Sequence, residues 1–130
     1  CRIKKQFAMS GIDLFVDTNI LVNLAEGKKE VDQYLEGNNL FISVISEIEL
    51  LGWHKITNQQ KNFFQKLLND CTVIGLISPI KDLSIELRQK HRIKLPDAVI
   101  AASSIYLDIP LITQDQGFER IKNLNLVVIN

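Results

Sequence analysis

The chain has 130 residues, 46% hydrophobic and 23% charged, which is the size and balance of one globular domain and excludes a disordered, low-complexity or repeat chain. Lys+Arg and Asp+Glu stand at 15 each, so overall charge offers no general attraction to a polyanion. No long apolar stretch follows Arg2, Lys4 and Lys5, because Asp13 and Asp17 interrupt it, which argues against a signal peptide or a membrane span.

Residues 1–10 are read as an N-terminal extension, with Met9 the candidate start and the residues before it non-native, and 11–130 as the domain. The run 12–16, broken by Asp13, predicts a first strand. Ile20, Leu21, Leu24 and Ala25 recur at helical spacing until Gly27. A second short helix is expected over 28–36, with Val31, Tyr34 and Leu35 inward. A β-branched strand is expected over 40–45, then a helix over 46–53. Asn58 is the expected N-cap of a helix that places Phe63, Phe64, Leu67 and Leu68 on one side. A third strand is expected over 71–77, opened by Cys71 as a small core residue. Cys1 and Cys71 are too few and too isolated for a disulfide framework or a zinc site, which fits a reducing cytoplasm.

Ser78-Pro79 opens a helix whose stripe is Ile80, Leu83 and Leu87 and which runs to about His91. Pro96 opens the next. Residues 98–102, Ile105 and Tyr106 make it apolar almost all round, so it is expected to be central and covered. Strands over 111–113 and 126–129 flank a short turn over 117–121. Several strands are continuous apolar runs, as a parallel sheet covered on both faces requires. The expected fold is therefore α/β, a three-layer α/β/α sandwich around a mostly parallel five-stranded sheet. In such sheets the site lies at the carboxyl ends of the strands, where strand order reverses.

Four acids are expected at that edge. Asp17 follows the first strand and Asp115 the fourth; Glu49 lies one turn into the helix after the second strand, and Asp97 in the first turn of the helix at Pro96. Each has a structural explanation by itself: Asp17 as an N-cap, Ser46 with Glu49 as a capping box, Asp97 at a helix dipole, Asp115 in an Asx-turn. Gathered together they would repel one another unless a cation sits among them. Oxygen donors without clustered His or Cys select a hard cation, Mg²⁺ or Mn²⁺. Arg88, Lys90, Arg92 and Lys94, with His91 among them, are either a solvated helix end or a set of phosphate contacts.

The motifs carry a resemblance. Val16-Asp17-Thr18-Asn19-Ile20-Leu21, Ser43-Val44-Ile45-Ser46 leading to Glu49-Leu50-Leu51-Gly52, Lys94-Leu95-Pro96-Asp97-Ala98, and Leu111-Ile112-Thr113-Gln114-Asp115 with Phe118 resemble, in order, the motifs of PIN domains. The likeness is nearest to VapC-type toxins of toxin–antitoxin pairs, and residues 53–93 carry little of it. It implies a cytoplasmic, metal-dependent ribonuclease that leaves 3′-hydroxyl and 5′-phosphate ends, forms a homodimer and meets a cognate antitoxin. It implies that Asp17, Glu49, Asp97 and Asp115 are the catalytic metal ligands, for one or two Mg²⁺ or Mn²⁺ ions, with Asn19 and Thr113 as polar helpers.

Glu47 is the alternative second acid; Glu49 is preferred because Leu50 and Gly52 follow it. Arg88, Arg92 and Lys94 are expected to bind RNA phosphates. Trp53, His54 and Tyr106 are open to base stacking, with packing the favoured role for Trp53. A catalytically silent scaffold is the rival function. A phospho-acceptor receiver domain is disfavoured, because Asp17 stands alone after the first strand and no acid follows the third.

Overall fold

The computed structural model describes residues 11–129; the N-terminal extension read over 1–10 lies outside them. In chain order they form β1 (Asp13–Val16), α1 (Thr18–Ala25), α2 (Lys29–Leu35), β2 (Asn39–Ser43), α3 (Val44–Leu51), α4 (Asn58–Asn69), β3 (Thr72–Ile74), α5 (Ser78–Lys90), α6 (Leu95–Leu107), β4 (Leu111–Thr113), a 3₁₀ turn (Gln116–Arg120) and β5 (Leu126–Val128). The sheet order is β3-β2-β1-β4-β5, and every neighbouring pair is parallel. Strand order reverses at β1, which lies between β2 and β4.

Side chains alternate across a strand, so each strand feeds two layers. Leu14, Val16, Leu40, Ile42 and Ile112 pack with Ile20, Leu21, Val31, Leu35, Leu50, Phe64 and Leu68, from α1 to α4. Phe15 and Leu111 face the other way, against Ile80, Leu87, Val99, Ile100 and Phe118, from α5, α6 and the 3₁₀ turn. Burying each such side chain contributes roughly 1.5–3 kcal/mol before conformational entropy is counted. The three-layer α/β/α sandwich expected from the sequence is the fold observed, with a fully parallel five-stranded sheet.

Several element limits differ from expectation, each for a physical reason. The second strand stops at Ser43, whose hydroxyl accepts the Ile45 N–H at 3.0 Å and caps α3. Val44 and Ile45 are thus helical despite their β-branching, and Ser46 lies inside the helix rather than capping it, so the capping box expected of Ser46 and Glu49 is absent. The third strand ends at Ile74, because its partner β2 ends at Ser43 and the last register pair is Ser43↔Ile74. Beyond that pair Leu76 and Ile77 are exposed.

The cap of α4 is Thr57, not Asn58: its hydroxyl accepts the Gln60 N–H while the Gln60 side chain accepts the Thr57 N–H. Tyr34, expected inward, is exposed, as is Tyr106 on the helix expected to be covered; Trp53, expected to pack, is 48% exposed. In α6 every residue over 98–104 is buried, and Ser103 and Ser104 satisfy their hydroxyls on the Val99 and Ile109 carbonyls. Before β1, Gly11 has φ +101°, and a Cβ there would lie 2.0 Å from the Gly37 carbonyl oxygen, so only glycine fits. Among the described residues no helix is long and apolar enough to cross a membrane.

Candidate active site

Asp17 follows β1 directly, at the point of strand reversal, and caps α1. Its N–H donates to the Ile112 carbonyl at 3.0 Å, which fixes it beside β4. Its carboxylate is 5% exposed and fully engaged: Oδ1 accepts the Thr18 N–H at 2.8 Å and Oδ2 accepts the Thr113 hydroxyl at 2.6 Å. The helix-capping explanation therefore holds for Asp17, yet it leaves the carboxylate buried beside further acids. Burial pushes its pKa up to about 6; the bonds from Thr113 and Thr18 oppose the rise, and the Asp97 and Asp115 charges add to it.

Thr113, fully buried at the end of β4, joins two acids. Its hydroxyl donates to Asp17 and accepts the Asp115 N–H at 3.0 Å. Asp115 then turns the chain, its Oδ1 accepting the Gly117 N–H at 2.8 Å. A Cβ on Gly117 would lie 2.9 Å from that same oxygen, so a larger residue there would push the Asp115 carboxylate aside.

Asp97 sits in the first turn of α6, one residue past Pro96. Its pKa is raised by burial first, then by the Asp115 and Glu49 charges, and is lowered by Lys94. Glu49 is exposed on α3, and its Oε1 accepts from the Thr18 hydroxyl at 3.1 Å. The Thr18 hydroxyl is also 2.7 Å from the Ser46 hydroxyl, so α1 and α3 are joined next to the acids. Glu47, on the same helix, enters none of the hydrogen bonds or ion pairs of the described residues. The Asn19 Oδ1 is buried and has no hydrogen-bond partner among the described residues.

The fold thus brings the four predicted acids into one electrostatic neighbourhood at the carboxyl edge of the sheet. It does not bring them into direct convergence. Among the described residues no three His, Cys, Asp or Glu side chains close on a point that would hold an ion. The donor set fits a hard cation in chemistry, being all oxygen, and Asp97 and Asp115 flank a cleft of about 30 Å³, enough for a water-sized occupant.

Two surfaces meet the group of acids. Arg88, His91, Arg92 and Lys94 line an open groove of about 420 Å³, and its Ile93 also lines the cleft of Asp97 and Asp115. The predicted cations are therefore neighbours of the acids. Arg120, which sequence reading missed, lines the acid cleft too, and its guanidinium donates to the Arg92 carbonyl. A mainly apolar groove of about 360 Å³ is lined by Val22, Leu50, Trp53 and Phe64, with Thr18, Glu26, Glu49 and Gln60 as its polar lining. Trp53 takes its place here, in a groove wall. Thr18 and Ser46 were also missed as site residues, although Ser46 lies three residues before Glu49 and so shares its helix face.

The PIN domain family matches the chain over residues 14–124, and the chain belongs to that family. Within it the likeness is to PIN domains of VapC type. A toxin–antitoxin complex from Klebsiella pneumoniae contains a chain 32% identical, with TM-score 0.75, over 88% of this chain and 96% of that one. VapBC2 from Rickettsia felis, solved bound to a DNA fragment from its promoter, matches at 24% identity and TM-score 0.80, over 91% and 99%. VapBC-1 from nontypeable Haemophilus influenzae matches at 25% identity and TM-score 0.71, over 90% and 97%. No curated protein sequence matches the chain.

Proposed function

We propose that this chain is a Mg²⁺- or Mn²⁺-dependent endoribonuclease and the toxin of a toxin–antitoxin pair. One observation carries the reading: a buried carboxylate, Asp17, pushed up to about 6 in the field of Asp97 and Asp115, with Glu49 acting in turn on Asp97. A site that gathers negative charge out of water is a site for a cation. Asp17, Glu49, Asp97 and Asp115 would hold it. When bound, such an ion stabilises charge on a phosphate and makes water a competent nucleophile near neutral pH.

The chain's own residues supply the rest. Thr113 fixes the orientation of Asp17 and, through its bond to the Asp115 N–H, the start of the Asp115 turn. The buried Asn19 Oδ1 is free to accept a hydrogen bond from an ordered water. Arg88, Arg92 and Lys94 neutralise backbone phosphates of an RNA strand that runs from the basic groove to the acid cleft. Single-stranded RNA suits an open groove of this kind, because its bases can be splayed. Glu49 is preferred to Glu47 as the second acid because it alone of the two is tied to the cluster.

The structural neighbours are toxin–antitoxin complexes, which supports an antitoxin partner for this chain. The apolar groove, which Glu49 also lines, offers a place for an apolar partner segment that carries a cation to Glu49. A homodimer that acts on RNA in the cytoplasm belongs to the same proposal. A silent scaffold is the second reading, favoured by the carboxylates standing apart. The two separate on single-stranded RNA incubated with Mn²⁺, with and without EDTA. Fragments carrying 5′-phosphate ends, abolished by EDTA, are expected; intact RNA beside a protein that Mn²⁺ stabilises against heat would establish the scaffold.

A further inference from the structure

Thr18 serves two acids at once: its N–H donates to Asp17 at 2.8 Å and its hydroxyl lies 3.1 Å from Glu49 Oε1. The hydroxyl also lies 2.7 Å from that of Ser46, and that distance alone permits either to be the donor. Glu49 removes the ambiguity. An ionised carboxylate can only accept, so the one hydroxyl proton of Thr18 goes to Glu49. Thr18 then offers Ser46 only a lone pair, and Ser46 must donate. The order is Ser46 to Thr18 to Glu49.

Ser46 is placed for this task and for no local one. Two other buried helical serines, Ser84 and Ser103, donate to the carbonyl four residues back, Ile80 and Val99, at 2.7 Å each. Ser46 is the third residue of α3, and the residue four before it, Ile42, belongs to β2. Fully buried, it spends its proton across to α1 instead. Glu49 lies one turn further on the same face. It is exposed, and the Thr18 bond is the one hydrogen bond its carboxylate makes among the described residues. A free glutamate loses rotamer entropy on being fixed, so a bond that holds it in advance lowers that cost.

We propose that Thr18 is a positioning residue that aims the Glu49 carboxylate at the acid cluster, and that buried Ser46, by donating to the Thr18 hydroxyl, holds that hydroxyl in place. The role rests on the metal-binding reading above, and the test keeps the two apart. Mn²⁺ binding is measured by calorimetry on the wild type, Thr18→Val, Thr18→Ser and Ser46→Ala, and on Glu49→Gln with and without Thr18→Val. Thr18→Val, which keeps shape and deletes the donor, is expected to weaken Mn²⁺ about tenfold. Ser46→Ala should weaken it less, and Thr18→Ser should restore it. In the Glu49→Gln background Thr18→Val should cost nothing further, which a merely structural role would not produce.

Wild-type affinity in Thr18→Val, or an equal loss with Glu49 already replaced, overturns the positioning role while leaving the metal site intact. A wild type that binds no Mn²⁺ overturns the metal site, and this role with it. Should Thr18→Val fail to fold, Ser46→Ala, which removes only a hydroxyl, carries the same comparison through Glu49→Gln.

Discussion

Burial drives the Asp17 carboxyl from an ordinary 3.8 to about 6 even though Thr113 and Thr18 both donate to it. Between those two pH values the folded chain keeps a proton on Asp17 that the unfolded chain has already released. Raising pH through that window therefore removes stability, and above about 6 the metal-free fold bears the whole penalty, ~3 kcal/mol. Asp17→Asn abolishes the charge while its side-chain oxygen can still cap α1. It is expected to raise the melting temperature of the EDTA-treated protein by several degrees at pH 8, with the gain shrinking toward pH 4. Thermal denaturation across that range checks this; a lower melting temperature at both ends would show that the Thr113 bond outweighs the charge. Protons also compete with the cation, so Mn²⁺ affinity should fall as pH drops below about 6, which titration at pH 5, 6 and 7 would read.

At this scale much of the candidate site's placement in the fold was legible. Asp17 stands directly after β1, Asp115 two residues after β4 and Asp97 in the first turn of the helix with Pro96 at its start, and such positions can be read from local pattern. The Thr18–Ser46 pairing was not, because its members lie 28 residues apart and meet only when α1 packs against α3. Arg120 escaped for a similar reason: its bond to the Arg92 carbonyl also spans 28 residues.

Elements show why boundaries were harder than types. Val44 and Ile45 favour strands by propensity, but the Ser43 cap starts a helix there, and tertiary context wins. Ser43→Ala should therefore destabilise the fold by about 1 kcal/mol, as measured by urea denaturation. The third strand was read too long because strand length is set by the neighbour it pairs with, and β2 ends early. The turn after β4 makes a sharper prediction. A methyl on Gly117 would meet Asp115 Oδ1 at 2.9 Å, so Gly117→Ala should move that carboxylate. Loss of cleavage with a melting temperature within a few degrees of wild type is expected; unchanged cleavage would remove Asp115 from the site.

Over the whole molecule, alternation along five short strands separates two cores, and the reversal of strand order at β1 leaves the acids at one edge. That architecture followed from apolar runs and their order, since a sheet covered on both faces admits few other patterns. Net charge of zero concealed a local asymmetry, with a basic groove next to an acid cleft. Replacing Arg88, Arg92 and Lys94 with Ala together should weaken RNA binding and flatten its salt dependence by roughly 0.7 for each phosphate no longer neutralised. An unchanged slope would mean these cations are only a solvated helix end.

The most direct measurement compares wild type with the Asp17→Asn, Asp97→Asn double variant on mixed RNA in Mn²⁺, at equal concentration and confirmed folding. Cleavage by the wild type alone is expected, because two charges that would hold the cation are gone while side-chain size is kept. Equal cleavage by both would contradict the assignment of the site to these carboxylates, and a folded wild type inert on every RNA offered would contradict the nuclease itself.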